Sequence, residues 1–197
     1  MATLRNEDLI QSVADAFQYI SYYHPADYIR SLAKAYEREQ SPAARDAMAQ
    51  ILINSRMSAE GHRPICQDTG ICIAFVRVGM DVRWEGGMTL QQMVDEGVRR
   101  AYTDKDNPLR ASVLSDPDGK RKSTGDNTPA VVHVELVPGD KLEVIVAAKG
   151  AEGVGVGFRD GHGFVCELHG EVEHRLLAIG EAGTAVVAGH AVAEDPV

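Results

Sequence analysis

The chain is poor in cysteine, aromatic residues and positive charge. Its 197 residues include three cysteines and one tryptophan, and the 29 acidic residues outnumber 20 lysines and arginines. Three cysteines are too few for a disulfide framework, so we expect a reducing, cytoplasmic environment. The formal charge of −9 argues against nucleic acid and anionic membranes as partners. No apolar run approaches the roughly 18 residues of a membrane span, and residues 1–8 lack a signal peptide's apolar core.

What the chain does contain begins with three predicted helices within residues 6–60. Asn6 is a possible cap of the first helix, which has acidic residues in its first turn. Pro25 suits the first position of the second helix, Ser41-Pro42 begins the third, and Gly61 closes it. Apolar residues at helical spacing are expected in the core: Leu9, Ile10, Val13, Phe17 and Ile20 in the first helix, Ile29, Leu32, Ala33 and Tyr36 in the second, and Ala44, Met48, Ile51 and Leu52 in the third.

The stretch that follows carries the densest chemistry of the chain. It reads Arg63-Pro64-Ile65-Cys66-Gln67-Asp68-Thr69-Gly70, so a thiol, a carboxamide, a carboxylate and a hydroxyl are consecutive. Proline stiffens the approach to this loop and Gly70 permits a turn that a side chain would hinder. The loop could present a soft metal ligand beside acid/base groups, although a cysteine near an aspartate is also commonly inert.

The next eighty residues are predicted to form strands, one helix and a long polar loop. Residues 71–78 alternate as a strand, with Cys72 as a small buried side chain, and Thr89 can cap a helix through Leu90, Met93, Val94 and Val98. Residues 104–126 form either an ordered binding loop or a surface loop. Residues 131–137 and 142–148 are rich in β-formers, and Pro138-Gly139-Asp140 predicts a hairpin between them.

The composition changes after Gly150. Residues 151–197 hold nine of the 19 glycines and eight acids against two bases. We therefore predict two parts: residues 1–150, with helices in 6–60, the loop 63–70 and strands and loops in 71–150, and an atypical, acidic tail rich in glycine, alanine and valine. Weak periodicity predicts that the tail is poorly packed, dispensable to the first part, and trimmed by proteases near Gly150. Without further helices, the sheet should expose an apolar face and favour association.

Several separated motifs together resemble one family. They are the loop at 63–70, Asn107-Pro108-Leu109-Arg110-Ala111-Ser112-Val113, Asp126-Asn127-Thr128-Pro129-Ala130 and Ala147-Ala148-Lys149-Gly150. In this order they resemble the N-terminal portion of class I, iron–sulfur-dependent fumarate hydratases, a family that includes L-tartrate dehydratase subunits. The resemblance implies an α+β fold in which an N-terminal helical layer leads into a truncated, mixed-sheet catalytic domain.

The resemblance also implies the chemistry of individual residues. Cys66 corresponds to one of three thiolates that hold a [4Fe–4S] cluster, whose open iron acts as a Lewis acid. Gln67, Asp68, Arg110 and Gly150 correspond to positions that bind a small dicarboxylate, for which a guanidinium fork is well suited. The implied reaction is the reversible hydration of fumarate to L-malate, in a homodimeric enzyme.

The chain departs from the family after Lys149-Gly150, and no catalytic base is assigned in it. Only one cluster thiolate has a match, so we predict that the chain is a truncated form without activity of its own. One alternative is a non-catalytic remnant that packs against an intact homologue. The other is a metal-binding module that uses tail residues, namely His162, Cys166, His169 and His174.

Overall fold

The computed structural model describes residues 3–66, 70–107, 109–116, 118–149, 162–169 and 173–177; for Lys149 and the last two ranges only the backbone is described. Helices and a mixed sheet occur in this part of the chain, so the predicted α+β class is confirmed. The elements in chain order are β1 (Thr3–Arg5), α1 (Asn6–Tyr22), α2 (Ala26–Arg38), α3 (Pro42–Gly61), β2 (Ile71–Gly79), β3 (Arg83–Glu85), α4 (Leu90–Thr103), β4 (Val131–Val137), β5 (Leu142–Lys149), β6 (His162–His169) and β7 (Glu173–Leu177).

Helices α1 and α4 pack together on one face of the larger sheet. The apolar stripe predicted for α1 is confirmed, since each of its five residues is at most 5% exposed. In α4, Met93, Val94 and Val98 are buried as predicted. They share one core with alternate side chains of β2 and β5, such as Val76 and Val144, as the two-residue period of a strand requires. Burial of this apolar surface is the main force that stabilises the layer.

The larger sheet has the order β4-β2-β5-β6-β7 among the described strands. Strand β2 runs parallel to β4 and antiparallel to β5. The predicted hairpin of residues 131–148 is therefore wrong: both strands exist, but each pairs with β2 rather than with the other. The reason is that β2 is apolar on both faces, and such a strand is stable in the middle of a sheet rather than at its edge.

The connection between β4 and β5 is hydrogen-bonded to the end of β2. Backbone N–H groups of Gly79 and Asp81 donate to the carbonyls of Lys141 (2.8 Å) and Gly139 (2.9 Å). A Cβ atom at Gly79 would lie 2.4 Å from the Gly139 oxygen. Glycine is therefore required at the point where β2 meets this connection.

Helices α2 and α3 pack mainly against each other, outside the core. Their predicted stripes were expected to be core, but no α2 residue is buried, and the buried residues of α3 are two serines, Ser55 and Ser58. The predicted core residue Ile51 is 42% exposed, and its neighbours Ile53 and Met57 are also exposed. The helical period predicted for both segments is confirmed, but the apolar stripes of α2 and α3 cover each other only in part.

The predicted helix starts are correct to within one residue, and four details differ. Asn6 is the first residue of α1 rather than its cap, and Pro25 is the cap of α2 rather than its first residue. Ser41 is the cap of α3 but makes no side-chain hydrogen bond there. Helix α3 ends on Gly61, and the left-handed residue that follows is His62, with φ of 45°. Thr89 caps α4 as predicted, in a reciprocal pair with Gln92.

Two strands lie beyond the predicted junction, in the tail that weak periodicity predicts to be poorly packed. Residues 162–168 of β6 pair antiparallel with residues 142–148 of β5, and β7 pairs with β6. Whether the tail is dispensable stays a prediction.

At the edge of the sheet opposite β7, strand β4 exposes Val131, Val134 and Leu136. Within the described residues, no helix combines the length and apolarity that crossing a membrane requires.

Candidate functional site

The approach to Cys66 is fixed by the end of helix α1. The N–H of Ile65 donates to the carbonyl of Ser21 over 2.9 Å, and the Asn54 amide of α3 donates to the carbonyl of Ile65 over 3.0 Å. Cys66 follows directly and is exposed. A thiol at this position is therefore accessible, on a backbone that two helices hold in place.

His62 connects this approach to Tyr22, the last residue of α1, and to Tyr23, which follows it. The Tyr22 ring stacks on the His62 ring, with centroids 5.6 Å apart. The Tyr23 hydroxyl lies 3.1 Å from Nε2 of His62. Burial raises the pKa of Tyr22 to about 12, so its hydroxyl remains a hydrogen-bond donor at neutral pH.

Residues 107–113, the Arg110 segment, are held at their beginning by helix α1. The carbonyl of Asn107 accepts hydrogen bonds from Nε2 of Gln18 (2.9 Å) and from the hydroxyl of Tyr22 (3.2 Å). Leu109 is buried, whereas Arg110 is exposed. Tyr22 therefore contacts both the approach to Cys66 and the Arg110 segment.

Asn127 holds the other end of the Arg110 segment. Its side chain is buried, and Oδ1 accepts from the N–H groups of Ser112 (2.8 Å) and Val113 (3.0 Å). Nδ2 donates to the carbonyl of Gly70 (2.9 Å) and contacts Sγ of Cys72 at 3.3 Å. Residues from three of the sequence motifs thus meet at one carboxamide.

A second contact joins the same two segments. The Ser112 hydroxyl lies 3.4 Å from the carbonyl of Gly70. Arg110 is two residues before Ser112, and Cys66 is four residues before Gly70. The backbone two residues beyond Arg110 therefore meets Gly70, although Ser112 and Gly70 are 42 positions apart in the sequence.

Helix α4 bonds to the segment of Asn127, residues 126–130, through Ala130. Oδ1 of Asp95 accepts from the N–H of Ala130 (2.8 Å), and Nε2 of Gln91 donates to the carbonyl of Ala130 (3.0 Å). Asn127 itself has φ of 63°, a left-handed conformation that asparagine tolerates better than most residues. The position thus suits asparagine in both backbone and side chain.

Cys72 is a buried structural thiol, as predicted. It is fully buried in β2, and burial raises its pKa to about 11, against smaller opposing effects of hydrogen bonds from Tyr102 and Asn127. A thiolate is the form that ligates metal, so Cys72 is unsuited to that role.

Three of the predicted site residues lie outside the described residues: Gln67, Asp68 and Gly150. Their roles, and the predicted convergence of Asp68 with Arg110, stay predictions. The part of the chain that the structure describes contains no group of three or more metal-ligating side chains. Cys66 is thus a single candidate ligand, and the described residues alone do not fit a cluster that needs three thiolates.

The length of strand β6 limits which tail residues can ligate one metal ion together. His162 and His169 are the two ends of this eight-residue strand. At about 3.3 Å per residue, they lie roughly 23 Å apart, whereas Zn–N bonds are about 2 Å long. The four tail residues cannot all ligate one ion in this arrangement.

Comparison with known proteins identifies the family. The family model described as fumarate hydratase (Fumerase) matches residues 10–155, which is more than half of the chain. The chain belongs to the fumarate hydratase family. Its relatives in this family are hydro-lyases.

Three relatives illustrate the similarity. A putative L(+)-tartrate dehydratase subunit alpha from Methanocaldococcus jannaschii is 28% identical over 142 residues, covering 71% of this chain and 49% of the relative. The anaerobic class I fumarate hydratase of Escherichia coli is 35% identical over 127 residues, covering 64% and 22%. Fumarate hydratase 2 of Leishmania major is 31% identical over 137 residues, covering 68% and 23%. The chain spans between about a fifth and a half of the length of these relatives.

The motifs of this family are recognisable in the sequence, but the residues that join them are not. Asn127 lies within a motif, whereas Gln18 and Tyr22 lie outside all of the motifs. No sequence signal marks Gln18 or Tyr22, because a polar group at the end of an amphipathic helix is ordinarily solvated. Asn127 could have been found from its type, since asparagine in a polar loop commonly bonds to backbone groups.

Proposed function

We propose that this chain is the N-terminal portion of a class I hydro-lyase that interconverts fumarate and L-malate. In this proposal Arg110, with Gln67, Asp68 and Gly150, binds the dicarboxylate, and Cys66 supplies one thiolate of a [4Fe–4S] cluster. The observation that carries the proposal is the meeting of the Arg110 segment with the end of the Cys66 loop at Gly70. Membership of the family gives this meeting its chemical interpretation.

The chemistry of Arg110 suits this role. A guanidinium is charged at every physiological pH and can donate two parallel hydrogen bonds to a carboxylate. Arg110 is exposed, so an anion can reach it. Because the backbone on both sides of Arg110 is held by hydrogen bonds, little ordering is needed when a substrate binds.

The described residues of this chain supply one candidate thiolate, Cys66, whereas such a cluster needs three. When bound in a complete enzyme, such a cluster supplies a Lewis acid. The residues of this chain would bind and orient the substrate. We place this activity in the cytoplasm, with a homodimer as the expected assembly.

The test is fumarate binding by the purified full chain, measured by calorimetry. Replacing Arg110 with glutamine (Arg110→Gln) should weaken binding by about tenfold or more, because a charged hydrogen bond contributes about 1.5–3 kcal/mol. The matched control is Arg56→Gln, which removes an exposed arginine of α3 that only a distant pair (3.9 Å) links to Glu60. Equal affinity of the wild type and Arg110→Gln would reject the proposed role of Arg110. L-tartrate, titrated in parallel, distinguishes the two substrates of the family.

A further inference from the structure

The carboxamide of Asn127 uses its complete hydrogen-bonding capacity. An asparagine side chain has two N–H donors and an oxygen with two lone pairs. Here both lone pairs accept from backbone N–H groups of Ser112 and Val113. The NH₂ group donates to the Gly70 carbonyl and contacts the sulfur of Cys72.

No other side chain can make this set of contacts at this position. Aspartate would place a carboxylate oxygen against the Gly70 carbonyl, and leucine would remove the acceptor of the Ser112 and Val113 N–H groups. Glutamine is one methylene longer and would overfill a site in which Asn127 is 0% exposed. Stability alone does not require such a set, because each contact could be made by a separate residue.

The contacts of Asn127 divide into two sets that face different segments. The acceptor side holds residues 112–113, two positions beyond Arg110. The donor side holds Gly70, the last residue of the loop 63–70 that contains Cys66. One rigid, planar amide therefore carries both sides and joins the two segments, beside the contact of the Ser112 hydroxyl with the Gly70 carbonyl.

We propose that Asn127 is a positioning residue that sets the Arg110 segment and the Cys66 loop in register for dicarboxylate binding. This inference rests on the proposed function, since the site it organises is the proposed substrate site. Asn127 does not contact the substrate in this account. It acts through the backbone at Gly70 and at residues 112–113.

The test uses the full chain with Asn127→Gly. Glycine removes the carboxamide but keeps the left-handed backbone accessible, so the change reports on the side chain. The matched control is Arg121→Gly, since Arg121 is also left-handed, with φ of 50°, and is exposed. Both variants add the same backbone freedom to the unfolded chain.

Two measurements are made at a temperature where both variants are folded by circular dichroism. In Asn127→Gly, hydrogen exchange should quicken by about tenfold or more at the amides of Ser112 and Val113. It should also quicken in peptides that span residues 62–71. Fumarate should bind about tenfold or more weakly than to the wild type. Arg121→Gly should match the wild type in both measurements.

The possible failures are distinguishable. Faster exchange at residues 112–113 alone, or unchanged fumarate affinity, would reduce Asn127 to a local structural residue and overturn the inference. If the wild-type chain does not bind fumarate, the proposed function fails. In that case the coupling between the segments is decided by exchange: a response in residues 62–71 supports it, and no response there rejects it.

Discussion

The side chains near the proposed site fall into an exposed pair and a buried pair. Cys66 is exposed and Arg110 is exposed, whereas Cys72 and Asn127 are buried. The exposed pair are the chemically active types, and Asn127 of the buried pair bonds to the backbone at Gly70 and at residues 112–113.

Burial of Cys72 should make the stability of the protein depend on alkaline pH. This thiol has an ordinary pKa of 9.0, which the fold raises to about 11. Below pH 9 both the folded and the unfolded forms keep the proton. Above pH 9 only the unfolded form loses it, so up to about 3 kcal/mol of stability is lost as the pH rises to 11.

The measurement is urea unfolding from pH 8 to pH 11 for the wild type and for Cys72→Ala. The variant is expected to lose stability less steeply across this interval. Tyr22, whose pKa is also raised, is present in both proteins and cancels in the comparison. Parallel pH profiles would show that Cys72 ionises as readily in the folded protein as in the unfolded chain.

At the scale of elements, the contact of α1 with α4 positions the site. The end of α1 holds Ile65 and Asn107, and α4 holds Ala130. The helices meet closely at Gly97 of α4 and are also joined by Arg100, whose Nη2 donates to Glu7 over 3.0 Å. A change in the spacing of the two helices should therefore move both sides of the site.

Replacing Gly97 with alanine should destabilise the fold. The added Cβ would lie 2.7 Å from the backbone oxygen of Ile10 and from Cβ of Val13. Overpacking of this kind costs about 1–3 kcal/mol, which exceeds the gain of up to about 1 kcal/mol in helix propensity.

The matched control for this change is Gly87→Ala, because no atom lies within 4 Å of a Cβ built there. The control should stay within about 0.5 kcal/mol of the wild type in urea unfolding. A Gly97→Ala protein as stable as the control would mean that the α1–α4 interface yields easily.

The elements also separate what the sequence predicts from what it cannot. The stripe of α1 and the Thr89 cap were predictable because helical period and capping are local. Ser41 has the same cap signal, but its N–H donates to Glu39 (2.8 Å) and its hydroxyl makes no cap bond. The strand order was not predictable from a turn signal, because insertion of β2 between β4 and β5 depends on long-range pairing.

The same division applies to the site. The Cys66 loop and the Arg110 segment were recognisable as motifs from their residue types. At Gly70 they meet through Asn127 and Ser112, which are 57 and 42 positions from Gly70 in the sequence. No periodicity or spacing rule relates residues at such separations, so the structure was needed to join them.

At the scale of the whole molecule, the chain should not hydrate fumarate by itself. By resemblance to the family, Cys66 alone corresponds to a cluster thiolate, and Cys72 is a buried, protonated thiol. After anaerobic reconstitution with iron and sulfide, the purified chain should have negligible, cluster-dependent hydration of fumarate. The same assay on an intact class I enzyme is the positive control, and measurable cluster-dependent turnover by this chain would contradict the prediction.

The proposal that sequence-distant segments form one dicarboxylate site is tested most directly by mapping the bound ligand. The measurement is a fumarate titration of the ¹⁵N-labelled full chain, followed by heteronuclear NMR. We expect chemical-shift changes concentrated in residues 62–71, 109–113 and 126–130, with helices α2 and α3 unaffected away from Asn54. Changes confined to α2 and α3, or no changes at saturating fumarate, would contradict it.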